Sequence, residues 1–249
     1  MSGHSKWAKI KHKKAITDSK RGASFTKMAR EITTAAKEGG GDPDMNPRLR
    51  MAMTRARGIG MPGSNVESAI KKGTGGGEGI IYESFTFDAY GPGGVAIFID
   101  GLTDNKNRTT AEVRSALTRK SSSLASPGSV AFLFNKKGLI VVETKAIGES
   151  DLMDIVLEAG AEDMTTEGDA YEITTEVAAF EKVRLAVEAK KIPMKSAEVT
   201  MIPTSTIKVA GQEAKSVLAL IETLEDLEDV QNVYANFDIS DEDMAAIAE

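Results

Sequence analysis

Residues 73–79 read GTGGGEG and divide the sequence into two different patterns. Five glycines in seven residues cannot hold a fixed backbone without outside contacts, so this stretch predicts a hinge or linker. Its spacing matches neither of the phosphate-binding motifs GxGxxG and GxxxxGKS/T, which argues against a nucleotide loop. Apolar residues recur at helical spacing before the stretch, whereas β-rich runs alternate with helical patterns after it.

The segment before the glycine-rich stretch predicts three helices with short connections, which together form a bundle. The first covers Ser24–Lys37 and stops at three consecutive glycines. Asn46 followed by Pro47 provides a cap residue and a first-turn proline for the second helix. Ser64 with Glu67 three residues later predicts a capping box at the start of the third.

The segment after the glycine-rich stretch predicts an α+β pattern. Two hairpins are expected: Phe85–Ala89 with Val95–Asp100 around GPGG, and Val130–Phe134 with Leu139–Glu143 around NKKG. Further helices are predicted at Thr110–Lys120, Asp151–Ala159, Ala178–Lys190 and Gln212–Leu224, and further strands at Tyr171–Thr174, Ala197–Ile202 and Val230–Phe237.

These elements predict an α+β multidomain protein, with an N-terminal helical bundle followed by two α+β domains. Residues 129–202 hold enough strands and helices for a complete sheet layer, whereas residues 80–125 alone hold too few. We therefore expect a discontinuous middle domain. The predicted division is a basic helical domain 1–75, a middle domain 76–128 plus 203–240, an inserted domain 129–202, and an acidic C-terminal tail 241–249.

The net charge of −6 combines segments of opposite sign. Residues 1–75 carry 16 Lys and Arg against 6 Asp and Glu, residues 76–143 carry 7 against 7, and residues 144–249 carry 8 against 24. One strongly basic segment in an acidic chain is typical of a surface that binds a polyanion, while the acidic remainder limits nonspecific adhesion.

Composition excludes several other classes of protein. The chain has no cysteine, and its two histidines, His4 and His12, lie in the polar N-terminal segment. The chain therefore lacks the residues needed for a thiolate metal site, a cysteine nucleophile or a buried Ser-His-Asp triad. No run of about 18 apolar residues occurs, and the start lacks the apolar region of a secretory signal. We expect a cytoplasmic protein with no membrane partner, no cofactor, no metal and no small-molecule substrate.

The candidate nucleic-acid contacts are 15 of the 16 cations of the first 75 residues, all but Lys37, together with the single tryptophan. They are Lys6, Trp7, Lys9, Lys11, Lys13, Lys14, Lys20, Arg21, Lys27, Arg30, Arg48, Arg50, Arg55, Arg57, Lys71 and Lys72. Cations neutralise phosphates, and an exposed indole can stack on an unpaired base. The alternative for Trp7 is a buried anchor for the tail. Pairs seven residues apart, such as Arg48 with Arg55 and Arg50 with Arg57, share a helical face.

Two further features each allow two interpretations. The segment from Asp104 to Glu112 links a strand to a helix, predicts a capping box of Thr109 with Glu112, and places Lys106 and Arg108 at the helix start. These cations either contact a phosphate or stay solvated beside a turn. The acidic run Glu222, Glu225, Asp226, Glu228 and Asp229 is either a Mg²⁺ site or, more simply, a solvated face.

Several motifs occur in a fixed order along the chain. They are Gly3-His4-Ser5-Lys6-Trp7, Lys20-Arg21-Gly22, Phe25-Thr26-Lys27, Gly40-Gly41-Asp42-Pro43, Asn46-Pro47-Arg48-Leu49-Arg50, Lys71-Lys72-Gly73, Tyr90-Gly91-Pro92-Gly93-Gly94, Asp104-Asn105-Lys106-Asn107-Arg108-Thr109, Gly128-Ser129-Val130 and Asp229-Val230-Gln231-Asn232-Val233. Together they closely resemble the YebC family over essentially the whole chain. The sequence departs from that family's pattern at residues 121–127, SSSLASP, where relatives tend to carry Gly-Gly-Asn-Leu-Gly.

The resemblance implies a helical N-terminal domain, two α+β domains and a cytoplasmic role in transcription regulation through DNA binding. Mitochondrial relatives instead resemble activators of translation. The leading hypothesis is therefore a non-enzymatic nucleic-acid-binding regulator that takes DNA as its partner. A ribosome-associated translation factor that binds structured RNA is the alternative, and a phosphate-handling enzyme that uses Lys106 and Arg108 is the third hypothesis.

Overall fold

The structure is a computed structural model that describes residues 18–75, 81–240 and 242–243, with residues 18–20 described by their backbone alone. Within these residues the fold is mixed α and β. The α-helices are α1 (Asp18–Gly39), α2 (Pro47–Gly58), α3 (Gly63–Thr74), α4 (Lys106–Arg119), α5 (Glu149–Ala159), α6 (Val177–Ala189) and α7 (Gly211–Glu225). The strands are β1 (Glu83–Tyr90), β2 (Ala96–Thr103), β3 (Ser123–Leu124), β4 (Phe134–Glu143), β5 (Asp163–Glu167), β6 (Ala170–Thr175), β7 (Met194–Pro203), β8 (Ile207–Lys208), β9 (Val230–Ala235) and β10 (Phe237–Asp238).

The described residues form two compact units. Phe132–Thr206 is one unit, and the residues before and after it form the other. The second unit contains the N-terminal helices and a sheet whose strands come partly from before residue 132 and partly from after residue 206 in the sequence. Among the described helices, none combines the length and apolar composition needed to span a membrane.

Helices α1, α2 and α3 pack around a shared apolar core. Ile32 of α1, Leu49 of α2 and Val66 of α3 belong to this core and are buried. The predicted cap of α2 is confirmed, because the Asn46 side chain accepts a hydrogen bond from the backbone N–H of Leu49 at 3.0 Å. The Asn46 amide also donates to the carbonyl of Ala35 at 2.8 Å, so the cap ties α2 to α1.

The third helix differs from the prediction at both ends. It begins at Gly63 after Pro62, without a side-chain cap, so Ser64 lies inside the helix and the predicted capping box is wrong. It also continues through Gly73, which we had assigned to the linker. A β-carbon at Gly73 would lie 2.4 Å from the carbonyl oxygen of Thr33 and 2.8 Å from Cβ of Ala36. This glycine therefore permits close packing of α3 on α1.

The larger unit contains a four-stranded sheet in the order β3-β1-β2-β9, with antiparallel pairing throughout. The first predicted hairpin is confirmed: β1 pairs with β2, and the N–H of Gly91 closes the turn on the carbonyl of Val95 at 2.8 Å. Helices α4 and α7 contribute Val113, Leu117 and Leu220 to the core against this sheet. The short strands β8 and β10 form a separate parallel pair.

An irregularity in the pairing of β2 with β9 determines the position of Asp229. The register shifts between Asp100 and Gly101. A β-carbon at Gly101 would lie 2.1 Å from the carbonyl oxygen of Asp229, which requires glycine there. The N–H of Leu102 donates to the same carbonyl at 2.9 Å. The bulge therefore holds Asp229 against the end of β2.

The unit Phe132–Thr206 follows the element order β4-α5-β5-β6-α6-β7, and its strands lie in the order β5-β6-β4-β7 with all neighbours antiparallel. This is the split β-α-β arrangement, in which two crossing helices cover a sheet. Ile140, Val156 and Val183 from the sheet and both helices are fully buried.

The second predicted hairpin is wrong. Phe134–Glu143 forms one continuous strand, and Ala131–Leu133 forms a 3₁₀ turn in place of the expected strand. Gly138, which we had placed in a turn, lies in the middle of β4. A β-carbon there would lie 2.3 Å from Oγ1 of Thr175 and 2.5 Å from the Phe180 ring, so the glycine serves close packing across the sheet.

Candidate nucleic-acid interface

The arginines of α2 divide into two faces of the helix. Arg48 faces α1 and is neutralised there: Nε lies 3.0 Å from a carboxylate oxygen of Glu31, and Nη1 pairs with Glu38. Partial burial would lower the pKa of Arg48, but these two carboxylates outweigh it and raise the pKa. Because these carboxylates neutralise Arg48, we do not retain it as a phosphate contact. Arg55, seven residues further along the helix, is half-buried.

Arg50 and Arg57 lie on the opposite side of α2 from Arg48 and Arg55, and both are exposed. Arg50 donates only to backbone carbonyls, with Nη1 3.2 Å from the oxygen of Pro43. Among the residues that the structure describes, neither side chain forms a salt bridge with a carboxylate. Their positive charge remains available to an external anion.

Two exposed lysines, Lys71 and Lys72, lie in the last turn of α3, where the helix dipole favours cations. Arg21 on α1 is also exposed. The predicted contacts Lys6, Trp7, Lys9, Lys11, Lys13 and Lys14 lie outside the described residues, as does the side chain of Lys20. Of the predicted contacts, Arg50, Arg57, Lys71 and Lys72 are exposed and form no salt bridge among the described residues; we call these four cations the bundle surface.

Two of the predicted contacts on α1 are used inside the protein. Nζ of Lys27 donates to the carbonyl oxygen of Glu225 at 2.5 Å. Arg30 is only 8% exposed; it pairs with Glu228 and, at 2.5 Å, with Asp229. Its guanidinium also lies 5.2 Å from the centre of the Tyr82 ring. Because burial and these partners occupy Arg30, it is not available to phosphate.

Asp229 is the centre of a buried polar cluster that we call the Asp229 cluster. Its side chain is 2% exposed, and it accepts hydrogen bonds from Arg30 at 2.5 Å, Arg108 at 2.7 Å, Thr109 at 2.6 Å and Thr103 at 3.1 Å. Burial alone would raise the pKa of Asp229, but these four donors lower it to about 2. The cluster joins α1, the end of β2, the start of α4 and the residue before β9.

The acidic run 222–229 is therefore not simply a solvated face, as we had expected. The carboxylates of Glu228 and Asp229 and the carbonyl of Glu225 bind cations of α1. Among the described residues, no group of three or more His, Cys, Asp and Glu side chains is arranged to hold a metal ion. The structure thus gives this run a role in binding cations of the same chain.

The strand-to-helix loop also differs from the prediction. Asn105 caps α4, because its side chain accepts from the N–H of Arg108 at 3.1 Å; the predicted capping box of Thr109 with Glu112 is wrong. Arg108 pairs with Asp229 at 2.7 Å and with Asp104 at 2.6 Å, and these two carboxylates raise its pKa. Lys106 pairs with Glu83 at 2.8 Å. Lys106 and Arg108, the predicted phosphate contact, are therefore both paired with carboxylates of the protein.

Sequence reasoning missed the Asp229 cluster, two exposed cations of α4 and the exposed lysine that follows this helix. Thr103 and Asp229 are 126 positions apart, so no local pattern links them. A weak signal was present, because α4 holds a single acid, Glu112, among many cations. Arg114 and Arg119 of α4 and the following Lys120 are exposed.

The fold and these surfaces define a multidomain α/β protein with a basic helical segment, and comparisons place it in a family. Residues 5–76 match the model of the TACO1/YebC protein N-terminal domain, and residues 82–237 match that of the TACO1/YebC second and third domain. The chain belongs to the TACO1/YebC family, which confirms the resemblance found in the sequence.

Similar proteins cover nearly the whole chain. A probable transcriptional regulatory protein of Natranaerobius thermophilus is 54% identical over 244 residues, which are 97% of this chain and 98% of that protein. One from Trichlorobacter lovleyi is 51% identical over 98% of each chain. The crystal structure of a conserved hypothetical protein from Aquifex aeolicus has a TM-score of 0.80 at 40% identity, covering 90% of this chain and 93% of that one.

Proposed function

We propose that this protein is a non-enzymatic, cytoplasmic regulator of gene expression that binds nucleic acid through its N-terminal helices. The observation that carries the proposal is the bundle surface, where Arg50, Arg57, Lys71 and Lys72 are exposed and form no salt bridge among the described residues. Relatives over 50% identical are named probable transcriptional regulatory proteins, so DNA is the first partner to test.

The chemistry of this surface favours the phosphate backbone over base edges. Arginine and lysine side chains that neutralise phosphates fix the position of a protein on a duplex without reading its sequence. The rest of the chain is acidic, and residues 144–249 carry 24 acids against 8 cations. Binding is therefore expected to depend on the basic surface and to weaken steeply with salt, because each neutralised phosphate releases counterions.

The test compares two double variants that each remove two positive charges. Arg50→Gln with Arg57→Gln removes the outward pair of α2, and Lys208→Gln with Lys215→Gln removes two exposed lysines far along the chain. Fluorescence anisotropy gives Kd at several salt concentrations on a labelled DNA duplex and on an RNA duplex of the same sequence. We expect the arginine variant to reduce the slope of log K against log salt by about 2 on the DNA duplex.

The outcomes separate the hypotheses. A wild-type protein that binds neither duplex, or binds with no salt dependence, would refute the proposal. Equal slopes for the two variants would remove Arg50 and Arg57 from the interface. Clear preference for RNA over DNA would favour the alternative of a ribosome-associated translation factor. Gel-shift titration of unrelated sequences then checks that the loss is general, as phosphate contacts require.

A further inference from the structure

Helix α4 has one face in the core and one face in solvent. Thr109, Val113, Ala116 and Leu117 are buried. The exposed side carries Arg114 and Arg119, which lie about 140° apart around the helix with small side chains between them, and Lys120 follows at the end of the helix. The small side chains are Ala111, Ser115 and Thr118, all exposed. We call the exposed residues 111, 114, 115 and 118–120 the α4 surface.

The cations of this surface differ from those at the start of the helix. Lys106 pairs with Glu83, and Arg108 pairs with Asp104 and Asp229. Arg114, Arg119 and Lys120 form no salt bridge or side-chain hydrogen bond within the part of the chain that the structure describes. Their charge is not neutralised internally, and the short side chains between them leave room for a phosphate backbone to approach the helix.

The Asp229 cluster fixes this helix relative to the N-terminal helices. Arg30 of α1 and Arg108 of α4 bind the two oxygens of the same buried carboxylate, at 2.5 and 2.7 Å. Because an α-helix rises about 1.5 Å per residue, Arg114 lies about 9 Å and Arg119 about 16 Å further along α4 than Arg108. The α4 surface is thus held on a rigid element that starts beside α1.

We propose that the α4 surface is a second contact for the phosphate backbone of a bound nucleic acid, in addition to the bundle surface. This inference rests on the proposed function, since it concerns the same ligand. Its chemistry is the same for DNA and RNA, because both present phosphates. The α4 surface lies within residues 76–143, which carry 7 cations and 7 acids. This balanced charge would not by itself suggest that the segment binds a polyanion.

The test again uses the full-length protein and variants of equal charge change. Arg114→Gln with Arg119→Gln is compared with Lys208→Gln and Lys215→Gln, which lie in the same compact unit and are exposed. Anisotropy titrations over a range of salt concentrations are run on DNA and RNA duplexes of one sequence. We expect the arginine variant to lower the slope of log K against log salt by up to about 2 on the DNA duplex, and the lysine variant to leave it unchanged.

A structural role for these arginines predicts a different result. Arg119 lies in the last turn of α4, where a cation also stabilises the helix. A loss of thermal stability with unchanged salt slope would therefore overturn the proposal. Equal slopes for the two double variants would overturn it as well, while salt-dependent binding by the wild-type protein would leave the bundle surface standing. A reduced slope on only one of the two duplexes would support the surface and identify its nucleic acid.

Discussion

Asp229 is a buried carboxylate with two arginine partners, so its loss should strongly destabilise the protein. Asp229→Asn would leave Arg30 buried beside a neutral amide, and breaking a buried charge pair costs about 3 kcal/mol or more. Urea unfolding at pH 7 measures this loss. The matched control is Asp104→Asn, which removes the more exposed partner of Arg108 and should leave stability nearly unchanged.

The same residue predicts an acid-dependent loss of stability. The pKa of Asp229 is about 2 in the folded protein and about 3.9 in an unfolded chain. A lowered pKa stabilises the fold above the unfolded value, and this contribution disappears as pH falls from about 4 towards 2. The difference in unfolding free energy between wild type and Asp229→Asn should therefore shrink over that range. A difference that stays constant from pH 7 to pH 2 would contradict this assignment.

Ser121 adopts a left-handed backbone conformation, with φ of 54°, one residue after the C-cap Lys120 of α4. A non-glycine residue in this region is strained, whereas glycine is not, so Ser121→Gly should stabilise the protein by up to about 1 kcal/mol. Ser122→Gly is the control: residue 122 does not adopt a positive φ, so glycine there adds chain flexibility and removes the hydrogen bond from Oγ of Ser122 to the Lys120 carbonyl, and it should lower stability. Thermal unfolding compares the two; a lower Tm for Ser121→Gly would show that the position is not strained.

At the scale of elements, α3 depends on its close approach to α1. Gly73→Ala would bring a β-carbon to 2.4 Å from the Thr33 carbonyl oxygen, so the two helices must separate. Such overpacking costs roughly 1–3 kcal/mol. Gly63→Ala is the control on the same helix, since a β-carbon at Gly63 meets nothing within 4 Å. Chemical denaturation should show a marked loss for the first substitution and little change for the second.

Periodicity predicted most of the helices, because a helix records its buried face in residues three and four apart. The same reasoning could not distinguish a glycine in a turn from one in close packing. Gly138 and Gly73 were both assigned to irregular structure, yet they contact Phe180 and Ala36, whose positions depend on the tertiary fold. Strand β5 was missed because its sequence, DMTTE, has no apolar alternation.

The candidate site shows the same limit. The sequence identified the arginine pairs of α2, and their spacing placed Arg48 with Arg55 and Arg50 with Arg57. It could not show which pair faces acids, because Glu31 and Glu38 lie on another helix. The residue types were sufficient to predict a basic surface, but the choice of Arg50 and Arg57 required the packing of α1 against α2.

At the scale of the whole molecule, the acidic and basic segments of the sequence are partly paired with each other. Lys27 and Arg30 from the basic first segment bind Glu225, Glu228 and Asp229 from the acidic last segment. The glycine-rich stretch 73–79 predicts a hinge or linker between the helical bundle and the rest of the chain. These contacts predict that the N-terminal helices and the sheet β3-β1-β2-β9 depend on each other for stability. The division of the chain into three domains stays a prediction.

Native-state hydrogen exchange tests this dependence. In the wild-type protein, amides of α2 and β2 should share one opening free energy, because both elements belong to the unit that the Asp229 cluster joins. Amides of β4, in the other compact unit, should report a separate value. Asp229→Asn should lower the protection of α2 and β2 and leave β4 unchanged. If α2 already exchanges much faster than β2 in the wild type, the helices open on their own and the cluster does not couple them.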